Sequence, residues 1–73
     1  MKIIKIQLKD DETAIKCADD LAESNVKRVR LGSAIVLLQT MHNTKAVAKA
    51  ITGNSGYTTW PTKQDEATLL EVL

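Results

Sequence analysis

Apolar and polar residues alternate from the start of the chain. In "KIIKIQL", Ile4, Ile6 and Leu8 share one side of an extended segment, with Ile3, Lys5 and Gln7 on the other. That period of two predicts a half-buried β-strand. The period then lengthens. In "DETAIKCADDLAES", Ala14, Ile15, Ala18, Leu21 and Ala22 recur at helical spacing, with Lys16, Asp19, Asp20 and Glu23 largely opposite. Asp10 or Asp11 caps the start of this helix, and Asn25 is its C-terminal stop. Cys17 falls toward the margin of the apolar stripe.

The segment "VKRVRLGSAIVLLQT", residues 26–40, mixes charge with the densest apolar run in the chain. Gly32-Ser33 at its centre is the signature of a two-residue type II′ hairpin, because glycine accepts positive φ at the first turn position. Register follows from the turn. Leu31 lies opposite Ala34, Arg30 opposite Ile35, Val29 opposite Val36, and Arg28 opposite Leu37. Alternation then separates Val29, Leu31, Ala34, Val36 and Leu38 from Arg28, Arg30, Ile35, Leu37 and Gln39. The first set, having no charge, is expected to face the core.

Asn43 or Thr44 caps a second helix, "TKAVAKAIT", with Ala46, Val47, Ala50 and Ile51 inward and Lys45 and Lys49 outward. Gly53 is the expected residue just past its end. "GYTTW" has β-branched and aromatic character and ends at Pro61, as suits an edge strand. The tail "KQDEATLLEVL" has the pattern of a short amphipathic helix using Leu69, Leu70 and Leu73. The order is β-α-β-β-α-β plus a C-terminal helix. It predicts an α+β fold of the ferredoxin-like, split βαβ kind, with an antiparallel sheet in the order 4-1-3-2 and both main helices on one face.

Seventy-three residues form one domain, 1–73, near the lower size limit for an independent core. One cysteine allows no intramolecular disulfide, which suits a reducing compartment. The first 12 residues lack the apolar stretch of a secretory signal, and the longest apolar run, "AIVLL", is far too short to span a bilayer. A cytoplasmic protein without a membrane partner is expected. Net charge is +1, so no global field draws the chain to nucleic acid. Charge is nonetheless segregated: six of the nine acidic residues fall within 10–23, directly before Lys27, Arg28 and Arg30.

The expected open face of the sheet carries Ile3, Lys5, Arg28, Arg30, Ile35 and Leu37, an apolar patch bordered by cations. Trp60 at the strand edge is either a core plug or an interface anchor. Such a surface suits a homodimer or another protein partner, unless the C-terminal helix folds over it. Nucleic-acid binding through Arg28 and Arg30 is the alternative. It lacks the stacking aromatics that sheet-face binders use.

Catalytic chemistry is poorly supplied. His42 is the only histidine, so an enzyme would need a cleft between subunits with His42 as base, a reading that rests on fold analogy alone. One histidine and one cysteine cannot build a structural zinc site. Capping and the helix dipole account for "DDE" at 10–12. "GNSG" at 53–56 leads into a strand, so it reads as a helix end and turn instead of a phosphate cradle. The chain is therefore expected to be a non-enzymatic interaction or regulatory module, without cofactor or metal.

Overall fold

Local chemistry sets where each element begins and ends. The computed structural model of the chain describes residues 2–59, 68, 70 and 71. Its elements are β1 (Lys2–Gln7), α1 (Asp11–Glu23), β2 (Arg28–Leu31), β3 (Ala34–Gln39), α2 (Thr44–Gly53) and β4 (Tyr57–Thr59). Thr68, Leu70 and Glu71 are also helical. The strands form one antiparallel sheet in the order β2-β3-β1-β4, the expected 4-1-3-2 read from the other edge.

Asp10 is the residue that caps α1, its carboxylate accepting the Thr13 N–H at 2.8 Å. A hydrogen bond from the Thr13 side chain, together with this backbone bond, holds the Asp10 carboxyl below its ordinary pKa. At the far end Asn25 adopts φ 58°, its N–H donates to Ala22 C=O, and Val26 N–H donates to Leu21 C=O. These two bonds define a Schellman motif, and its apolar pair, Leu21 and Val26, is buried.

The second helix ends the same way, two residues later than the sequence predicts. Ser55, not Gly53, is the left-handed residue, at φ 54°. Its N–H donates to Thr52 C=O, and Gly56 N–H donates to Ile51 C=O. The extra turn is held by Asn54, which is buried and donates from Nδ2 to Ala50 C=O and to the Asp20 carboxylate. Glycine is required at Gly56 instead, where a Cβ would stand 2.8 Å from Ile6 Cγ2 and 2.9 Å from Leu8 Cδ1.

The core joins both helices to one face of the sheet. It comprises Ile4, Ile6 and Leu8, Ala14, Cys17 and Leu21, Val26, Ile35 and Leu37, and Val47 and Ala50. Helix α1 packs on β2 and β3, and α2 lies toward β4. The buried stripe of α1 is rotated from its expected position. Cys17 sits at its centre, completely buried, while Ile15 is 47 % exposed. The small residues Cys17 and Ala50 meet where the helices touch, with Cys17 Sγ 3.8 Å from Ala50 C=O. Burial pushes the Cys17 thiol up, and Asp20 adds to the effect.

Candidate interaction surface

Pairing in the hairpin is as the Gly32-Ser33 turn predicts, with Arg28 opposite Leu37 and Leu31 opposite Ala34. Gly32 has φ +65° and Ser33 has no positive φ, as type II′ requires. The faces, however, are the reverse of those expected. β3 pairs with β1 so that Ile4 opposes Leu37 and Ile6 opposes Ile35. Directly opposed residues share a face. Ile35 and Leu37 therefore lie in the core beneath the helices, along with the side of β2 that carries Arg28 and Arg30.

The reason is that β2 is an edge strand. Its helix-side positions lie at the margin of α1, where a long polar side chain reaches backbone oxygens. Arg28 Nε donates to Ala18 C=O at 2.9 Å and its Nη1 to Val26 C=O at 3.2 Å, joining β2 to the last turns of α1. Helix α1 has no basic residue in its own last turn, and the guanidinium places a cation there. Arg30 is exposed, and its Nη1 donates to Gly32 C=O at 2.8 Å.

The far face consequently carries Ile3 and Leu38, Lys5 with Val36 and Val29, and Gln7 with Ala34 and Leu31. Tyr57 and Thr59 extend it onto β4. Ile3 and Lys5 are where the sequence predicts; Val29, Leu31, Val36 and Leu38 are additions. Gln7 anchors one end of this face, its Nε2 donating to Ser33 Oγ at 2.8 Å in the hairpin turn. Val36 and Ala34 are buried, while Ile3, Val29, Leu31 and Leu38 are half-buried and Tyr57 is 60 % exposed.

Part of this face is covered. Leu70 is 2 % exposed, and among the described residues it is the one buried apolar side chain outside both the sheet and the helix-side core. Val36 needs a cover that neither helix provides. Those two requirements match, which makes Leu70 a candidate cover for Val36. Leu69, Leu73 and the proposed anchor Trp60 lie outside the described residues.

The remaining candidates stay apart. His42 is exposed in the β3–α2 turn, its backbone N–H donating to Thr40 Oγ1. Asn43 precedes α2 without capping it through its side chain; its amide bonds Thr40 N–H and Leu38 C=O instead, fixing that turn. Cys17 and His42 belong to different elements. Among the described residues, no group of three or more His, Cys, Asp or Glu side chains could hold a metal ion. No described helix is long and apolar enough to cross a membrane.

No family model matches the chain, and no curated protein or solved structure matches it.

Proposed function

We propose that this chain is a non-enzymatic protein-interaction module that acts as a homodimer through the far face of a ferredoxin-like, split βαβ sheet. The observation that carries the reading is the row of half-buried apolar side chains Ile3, Leu38, Val29 and Leu31 around the buried Val36. An apolar patch rimmed by Lys5, Gln7 and Tyr57 has the composition of an interface, with an apolar centre and an amphipathic border.

A twofold axis through the part of the face left uncovered would bring the half-buried Ile3, Leu38, Val29 and Leu31 against their own copies, the self-complementary arrangement of most homodimers. A single buried thiol suits a reducing, cytoplasmic setting.

Light scattering coupled to size exclusion tests this. The expected result is a dimer that Leu31→Glu and Leu38→Glu convert to a folded monomer. A wild-type monomer at the highest soluble concentration overturns the dimer.

A further inference from the structure

The outer edge of β2 is open: among the described residues no strand pairs with it. The hairpin fixes which backbone groups face that edge. Leu31 and Ala34 flank the two-residue turn, and Leu38 N–H donates to Lys27 C=O at 2.9 Å. Residues of an antiparallel ladder bond alternately to one side and the other. Lys27, Val29 and Leu31 therefore bond to β3, and the N–H and C=O of Arg28 and Arg30 point outward from the sheet.

Beside this edge runs a groove of about 600 Å³ between β2 and α1, lined by Ala18, Ala22, Val26, Lys27, Arg28 and Arg30, together with Asn25. The lining is small and apolar on one side and cationic on the other, and it includes no carboxylate. Both guanidiniums are held by neutral carbonyl oxygens of Ala18, Val26 and Gly32. Among the described residues no carboxylate pairs with either. Their charge is thus fixed in position and paired with no carboxylate among the described residues, with N–H donors to spare on each group.

We propose that the β2 edge binds an extended acidic segment of a partner protein, which adds to the sheet as a further strand. Backbone pairing supplies the attachment, and side-chain alternation supplies the selectivity. Partner residues opposite Arg28 and Arg30 project to the helix side, beside the two guanidiniums. The residue between them projects to the far side, next to Val29. The segment recognised therefore alternates acid, apolar, acid. A second copy of this chain fits poorly, because its own β2 edge brings Lys27, Arg28 and Arg30 against the same three charges. This inference stands apart from dimerisation, which uses the far face.

The test is an NMR titration of the full chain, at low salt, with a synthetic peptide alternating Glu and Val. The expected shifts are largest at the Arg28 and Arg30 amides. Lys27→Glu and Arg30→Glu, both at exposed positions, are expected to weaken binding by about fivefold or more each while circular dichroism stays unchanged. Added salt weakens binding as well. A peptide alternating Lys and Val is expected not to bind. The proposal is overturned if the β2 amides do not shift, if the Lys–Val peptide binds equally well, or if Arg30→Glu binds like the wild type. It is likewise overturned if a single-stranded oligonucleotide binds this edge more tightly than the Glu–Val peptide. Light scattering on the same samples reports dimerisation separately.

Discussion

Ile35 and Val36 are consecutive residues of β3, both wholly excluded from solvent, and they are buried from opposite sides of the sheet. The two helices cover Ile35. Leu70, near the C-terminal end of the chain, is the candidate cover for Val36.

Removing that cover costs stability. Leu70→Ala is expected to destabilise the fold by about 2–5 kcal/mol, the range for emptying a buried leucine site. Urea denaturation measures it. Combined with Val36→Ala, the two losses should depart from additivity by about 0.5 kcal/mol or more if the side chains share one contact. Strict additivity would place Leu70 elsewhere.

The exit from α2 supplies an opposed pair. Gly56→Ala drives a methyl group into Ile6 and Leu8, an overpacking expected to cost about 1–3 kcal/mol. Ser55→Gly relieves a left-handed backbone and is expected to stabilise by about 1 kcal/mol. Thermal melts of the two variants should move in opposite directions.

Arg28 reads as a tie between strand and helix. Arg28→Ala leaves two carbonyl oxygens without its N–H groups and is expected to cost about 1–3 kcal/mol in chemical denaturation. Arg28→Lys should recover only part of this, since one ammonium cannot reproduce the divergent Nε and Nη1 donors. Full recovery by lysine would show that charge alone matters there.

Two ionisable groups among the described residues shift on folding, in opposite pH ranges. The Asp10 carboxyl is lowered in the folded state, so its contribution is present above roughly pH 4 and is lost as pH falls through the lower folded value. Asp10→Asn should flatten that acid limb. The Cys17 thiol is raised, so its contribution is complete below the unfolded pKa of about 8.5 and is lost as pH rises through the folded value. Ellman's reagent should label Cys17 only as fast as the protein opens; labelling at the rate of a free thiol would contradict its burial.

The order of elements and the β2–β3 register are legible in the sequence because near neighbours decide them. Asp10 needs only Thr13, and Gly32 needs only its own φ. Which face of the hairpin meets the helices is a different kind of fact. In Ala34–Leu37 every residue is buried, so alternation carries no signal there. The one contrast available, charged Arg28 and Arg30 against apolar Val29 and Leu31, points the wrong way, because the partners of Arg28 are carbonyl oxygens of α1 and of the turn after it. A usable signal was present in the unbroken run "AIVLL", since strands covered on both faces lose their polar alternation. Another was the Leu21–Val26 pair, which brings the approach to β2 into the core. Shape complementarity decides the position of Cys17, and helix spacing alone does not encode it.

A strand covered on both sides has no neutral positions. Along β2, Arg30 is exposed and Val29 and Leu31 are half-buried, so substitutions there are partly absorbed by solvent. Across Ala34–Leu37 no residue has that freedom. Sequence drift in this protein should accordingly stall over four consecutive sites instead of skipping every second one, and a saturation-mutagenesis map should record Ala34–Leu37 as an uninterrupted intolerant block.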